Sequence, residues 1–295
     1  MTTPQTIIAA TDFSEAAMRA VRQAAHLART WGAKLTLVYV FNDSVWASIK
    51  AVYDLPNWNN INPMNSQRAR LEQLGAQIAS EFALPVDTEI LTGRASQQIG
   101  RIITARQADL LVVGEHGENW VRDTVLGGTA LKVIEAARIP VLLVRRDEPE
   151  LYRDIVIATD FSPAAHRAAR IALDCFHSAR LALIHAWQVP FEASMRMGGA
   201  REEDIAHYRE REFERTAGEL EAFAKLCSGT ASHENFERLA LYGSPEAVIF
   251  DQVSARGSDL IVIGKHSGRE VEERLLGSVT QNILYHADCD VLLSA

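Results

Sequence analysis

The residues in this chain best suited to chemistry are glycines at a repeated spacing. Gly114-Glu115-His116-Gly117 is followed, nine residues later, by Gly127-Gly128-Thr129. A second version reads Gly264-Lys265-His266-Ser267-Gly268 and then Gly277-Ser278-Val279-Thr280. Glycine lets backbone N–H groups approach an anion with no Cβ in the way, and a helix that follows presents unpaired N–H donors at its positive end. The chemistry this suits is the holding of phosphate groups. Asp12 and Asp160, each behind a short β-branched run, can accept hydrogen bonds from a ribose hydroxyl or an adenine amino group across the same crevice.

Two copies of everything else surround these turns. Ala10-Thr11-Asp12-Phe13-Ser14 is answered by Ala158-Thr159-Asp160-Phe161-Ser162 at an offset of 148. Gly93, Ala108-Asp109-Leu110, Gly114, His116 and Gly127 are answered by Gly243, Ser258-Asp259-Leu260, Gly264, His266 and Gly277 at an offset of 150. So small a drift over a whole domain length means homologous halves, 1–148 and 149–295. In each half, short apolar runs alternate with stretches of helical period, the pattern of βαβ units around a parallel sheet. Five strands are expected per half, over 6–11, 34–40, 86–91, 109–114 and 140–145, then 154–159, 181–187, 234–241, 259–264 and 290–294. Ser14 and Ser162 are N-caps for the helix after strand one, Pro163 suiting its first turn. The run Arg145-Arg146-Asp147-Glu148-Pro149-Glu150 reads as a linker. In an open parallel sheet, ligands bind beyond the carboxyl ends of the strands where the winding reverses, which is where the repeated residues fall.

The 295 residues predict two domains, and 47% apolar with 23% charged residues describe an ordinary globular chain. Cys175, Cys227 and Cys289 are odd in number and far apart, which excludes a disulfide framework or a C-x-x-C metal site and fits a reducing cytoplasm. A secretory leader and a membrane span are not expected. The net charge of −8 lies in the second half, since residues 1–148 hold 15 basic and 15 acidic side chains. That balance disfavours nucleic acid or an anionic membrane as partner, both of which need a basic surface.

Both TDFS segments and the G-2x-G-9x-G-[ST] spacing resemble the universal stress proteins, over essentially the whole chain and twice. The resemblance implies two tandem α/β domains of the adenine nucleotide alpha-hydrolase-like kind. Each would have a five-stranded parallel sheet in the order 3-2-1-4-5, and the two would pair as an intramolecular pseudo-dimer through strand five, with a homodimer of whole chains as a further expectation. It also implies ATP with Mg2+ in one subgroup and no nucleotide in another that lacks the glycines. Residue by residue, Asp12 and Val40 would meet the nucleoside in the first half, with Gly114, Gly117, Gly127 and Thr129 at the phosphates, while Gly128 stands where the family has Ser or Thr. The second half would use Asp160 and Ala186, then Gly264, Gly277, Ser278 and Val279. There Ser267 replaces the motif's second glycine and Gly268 follows. Each half is therefore expected to bind ATP.

Three functions compete: a nucleotide-dependent stress sensor or regulator, which needs no catalytic base; a slow ATPase; and a nucleotide-free scaffold assembled through its apolar fifth strands, Val141–Val144 and Val291–Leu293. The first is the reading favoured. The chain lacks G-x-x-x-x-G-K-[ST], G-x-G-x-x-G and G-x-S-x-G, and carries TDFS where adenylating pyrophosphatases have SGG-x-DS. His116 and His266 can touch phosphate, though an exposed loop imidazole is the commoner outcome. His286, Asp288, Cys289 and Asp290 read first as a helix end entering strand five rather than as metal ligands. The charges of 201–225 form a solvated helix face. Segments 42–63, with Trp46 and Trp58, and 188–199, with Met195 and Met197, have little periodicity and read as loops or lids.

Overall fold

The computed structural model describes residues 3–43, 63–117, 126–228, 236–265 and 276–294. His266, Ser267, Gly268, Trp46 and Trp58 lie outside them. The chain divides into two compact units, Thr3–Leu151 and Tyr152–Ser294.

The first unit runs β1 (Thr6–Ala10), α1 (Glu15–Trp31), β2 (Lys34–Phe41), α2 (Pro63–Phe82), β3 (Val86–Thr92), α3 (Ala95–Arg106), β4 (Leu110–Gly114), α4 (Gly128–Ala136) and β5 (Val141–Val144). The second runs β6 (Asp154–Ala158), α5 (Pro163–Cys175), β7 (Arg180–Trp187), α6 (Glu192–Met197), α7 (Glu202–Ser228), β8 (Phe236–Tyr242), α8 (Pro245–Arg256), β9 (Leu260–Gly264), α9 (Ser278–His286) and β10 (Asp290–Ser294). All ten strands fall within two residues of their expected limits. Strand order in the first unit is β3-β2-β1-β4-β5, and the second repeats it as β8-β7-β6-β9-β10. Every pairing within a unit is parallel.

Packing explains the composition of the central strands. Ile7, Ile8 and Ala9 of β1, and Ile155, Val156 and Ile157 of β6, have no exposed surface, as expected where helices cover both faces of a parallel sheet. Helix α1 presents a stripe of alanines to the sheet, Ala16, Ala17, Ala20, Ala24, Ala25 and Ala28, and small side chains bring helix and sheet close. Ser14 and Ser162 are the N-caps, each accepting a backbone N–H three residues on, from Ala17 and Ala165, at 3.2 Å. The charged run after β5 folds back on α1: Gln23 Nε2 donates to the Glu150 carbonyl at 3.0 Å, and the Glu150 N–H donates to Gln23 Oε1 at 3.2 Å.

The charge-dense segment is α7, which buries Ile205, Leu220, Phe223, Ala224 and Cys227 while pairing Arg215 with Glu212 and Glu219 on its outer side. Segment 188–199 holds a short helix, α6, where its sequence suggests a loop. Glu192 fixes it by accepting from Arg209 of α7 and from the Tyr242 hydroxyl of β8. At β10, Asp290 accepts the Tyr152 hydroxyl at 2.6 Å, and His286 Nδ1 lies 2.9 Å from the Asn282 carbonyl one turn back, so helix and strand contacts account for both residues.

Gly114 is required by packing. A Cβ there would lie 2.5 Å from the carbonyl carbon and oxygen of Ala16, and one at Gly264 would lie 2.9–3.0 Å from Ala164 and Ala165. The Gly114→Ala variant should therefore lose about 2 kcal/mol of stability in denaturant titration, the usual scale of overpacking. Gly128→Ala, where the space is open, should lose nothing and gain helix propensity.

Lys265 follows β9 and is 1% exposed; burial holds its ammonium at about 8, below the ordinary lysine range. Lysine in the unfolded chain titrates near ~10.4, so between about 8 and ~10.4 the unfolded state binds more protons and stability rises with pH. The Lys265→Met variant, with no ammonium to titrate, should lack its share of that rise. Unfolding midpoints measured at several pH values check this outcome.

Candidate functional site

The site is built on an unusual turn after strand one. Thr11 Oγ1 accepts the Phe13 N–H at 3.0 Å and Asp12 Oδ1 accepts the Ser14 N–H at 3.0 Å. Thr159 and Asp160 repeat both bonds at the same distance. These paired acceptors hold Phe13 and Phe161 at φ of 66° and 64°, left-handed backbone that a bulky residue adopts only when the surroundings impose it. Phe13 stacks on Tyr39 with centroids 5.0 Å apart and carries Arg70 on its ring at 4.1 Å. Phe161 stacks on His185 at 4.2 Å.

Ser14 joins this turn to the glycine turn. While capping α1, its hydroxyl donates to the His116 carbonyl at 3.2 Å. The turn is closed from its other end by the Gly127 N–H, which donates to the Glu115 carbonyl at 2.8 Å. Gly277 does the same to Lys265 at 3.0 Å. These two N–H groups, expected at the phosphates, are thus spent within the protein. A Cβ at Gly127 would lie 3.2 Å from that same carbonyl, so the glycine serves the crossing of two chain segments. The donors left for an anion are those of the first turn of each following helix, Gly128, Thr129 and Ala130 in α4 and Ser278, Val279 and Thr280 in α9, which have no carbonyl one turn back.

All the first-half candidates line one cleft: Asp12, Val40, Gly114, Gly117, Gly127, Gly128 and Thr129. Asp12 Oδ2 faces Gly117, where a Cβ would come within 2.6 Å of it. The described candidates of the second half, Asp160, Ala186, Gly264, Gly277, Ser278 and Val279, line a second cleft within the other unit. The sequence reading missed Arg94 and Ser96, brought in from the start of α3, and Lys132 of α4, all on the wall of the first cleft. It also missed His185, Pro245 and Ile249 in the second. The signal was present, because Gly93 and Gly243 belong to the repeat. They adopt φ of 126° and 149°, backbone open to glycine, and turn the chain toward the cleft.

Electrostatics distinguish the two turns. Glu115 lies 3.1 Å from Arg19 and 3.4 Å from Arg145. His116, expected as an exposed loop imidazole, is largely covered, with 15% side-chain exposure. Burial lowers its pKa against the opposing pull of Glu115, so the ring is neutral near pH 7 and adds no charge to the cleft. In the second unit Lys265 replaces Glu115, and the Thr280 hydroxyl, absent from the first unit, donates to the Gly264 carbonyl at 2.8 Å.

Comparison with known proteins bears on both units. A universal stress protein of Mycolicibacterium smegmatis is 24% identical over 294 residues, which cover 97% of this chain and 96% of that one. A universal stress protein of Methanocaldococcus jannaschii is 27% identical over 146 residues, 49% of this chain and 84% of its own. The crystal structure of a universal stress protein from Archaeoglobus fulgidus superposes with a TM-score of 0.68 at 15% identity, covering 98% of each chain, which shows the shared fold. Residues 4–145 and 151–294 each match the universal stress protein family. The chain belongs to that family and carries its domain twice.

Proposed function

We propose that this chain is a cytoplasmic adenine-nucleotide-binding regulator of the stress response, with the cleft of the first unit as its site for ATP. The observation that carries the reading is the convergence in that cleft of three unlike groups. They are the Asp12 carboxylate, the first-turn N–H groups of α4, and the cations Arg94 and Lys132. A carboxylate suits ribose hydroxyls, helix-terminal N–H groups suit one phosphate, and two cationic side chains suit the remaining charge. The cleft, about 610 Å3, has room for a whole nucleotide. Regulation needs only that occupancy alter the turns held by Ser14 and Gly127, and calls for no catalytic base.

Titration calorimetry of the full chain with Mg-ATP tests this. Binding heat is expected, and its absence at millimolar ligand would overturn the reading. The Asp12→Asn variant retains an oxygen to accept the Ser14 N–H while losing the carboxylate charge. It should keep the fold and bind ATP at least tenfold more weakly.

A further inference from the structure

The duplicated frame surrounds two clefts whose walls differ in charge and in size, and we infer that they divide ligands by charge. The first takes a polyphosphate, selected by Arg94 and Lys132, whereas the second takes an uncharged, ring-sized molecule such as a nucleobase. This rests on the nucleotide reading of the first cleft and replaces the expectation of two equivalent ATP sites.

At the constant offset of 150, Arg94 corresponds to Ser244, Lys132 to Asn282 and Ser96 to Glu246. Neither described cation of the first cleft has a cationic counterpart at the equivalent position of the second unit, and an acidic residue, Glu246, stands in the first turn of α8. Among its described lining residues the titratable side chains are Asp160 and His185. A triphosphate brought there would meet the Asp160 carboxylate with neither replacement cation to offset it, and like charges across a cleft of low dielectric repel strongly.

Shape agrees with charge. The second cleft is about 150 Å3, against about 610 Å3 for the first. Its described wall is largely apolar, with Ile184, Ala186, Ile249, Ile263 and Val279. An apolar cavity of about 150 Å3 accommodates a single ring-sized molecule. His185 adds a fixed polar group. A carbonyl only accepts, so its contact of 2.8 Å with the Thr159 oxygen places the proton on Nδ1, and stacking on Phe161 holds the ring plane. In the first unit Tyr39 takes this position. The pattern is that of a small-molecule site, an apolar wall with a few oriented polar groups.

Calorimetric titrations of the full chain with ATP and with adenine decide the matter. The parent should bind one equivalent of ATP, with an affinity that falls as salt is raised. Arg94→Ser with Lys132→Asn should weaken ATP at least tenfold and leave adenine within twofold. Ser244→Arg with Asn282→Lys, which places both cations at the equivalent positions of the second unit, should raise the ATP stoichiometry toward two. Ala186→Phe, which fills the second cleft, should remove one equivalent of adenine with ATP unchanged. Two equal ATP sites in the parent, or undiminished ATP affinity in the Arg94/Lys132 variant, would overturn the division by charge while leaving the nucleotide reading intact. Loss of adenine by none of the variants would overturn the second site alone. No ATP binding by any of these proteins would overturn the nucleotide reading and the division together.

Discussion

Two side-chain acceptors at the end of strand one, Thr11 Oγ1 and Asp12 Oδ1, govern the geometry of the first unit, and Thr159 and Asp160 govern the second. By capturing the N–H groups of Phe13 and Ser14, they turn the chain through a left-handed phenylalanine, a conformation that costs of order 1–2 kcal/mol for a residue with a Cβ. The return on that strain is positional. Ser14 arrives where it caps α1 and reaches the His116 carbonyl, so one hydroxyl fixes both the start of a helix and the turn after strand four. The aromatic ring is delivered onto β2 or β7, where Tyr39 or His185 stacks on it.

That constraint gives the glycines a second meaning. Once α1 begins where Ser14 places it, its first residues press against the end of β4, and at 2.5 Å from the Ala16 carbonyl only a hydrogen fits at position 114. Gly127 in turn must pass the Glu115 carbonyl to donate to it. Gly114 and Gly127 are thus explained by the frame before any ligand is considered, whereas Gly128, with open space around it, is not. A glycine motif near a phosphate site can therefore be kept for packing alone, which is why it identifies this fold more firmly than it identifies a ligand.

The parts of this arrangement legible in the sequence were those set by local pattern. Strand positions follow from apolar runs between polar turns, as for Ile7–Ala9 and Leu110–Val113. The caps follow from serine before an amphipathic stretch, and the duplication from the recurrence of TDFS. Other features depend on partners distant in sequence. The left-handed Phe13, set locally by Thr11 and Asp12, has its ring seated by Tyr39 on the neighbouring strand. The spending of the Gly127 N–H depends on how the turn after β4 closes. Arg94 was missed because attention to the reversal of winding selects the ends of strands one and four, while its loop follows β3, two places away from β1 in the sheet. Only the crossover of α3 toward β4 brings it to the same cleft.

Divergence after duplication has a physical order. Positions that hold the frame, Thr11, Asp12, Phe13, Ser14, Gly93, Gly114 and Gly127, have identical partners in the second half, because each is fixed by a contact with backbone that both units share. Positions that face the first cleft without holding the frame were free to differ, and Arg94, Ser96 and Lys132 correspond to Ser244, Glu246 and Asn282. A frame residue replaced alone loses a bond or meets a clash like that of a Cβ at position 114 with Ala16. A cleft residue replaced alone changes mainly the potential felt by a ligand, since Arg94 and Lys132 are exposed and surface substitutions of that kind cost little stability. Two domains with one architecture can therefore differ in the charge of their clefts with little change in how they fold, as Arg94 and Lys132 opposite Ser244 and Asn282 illustrate.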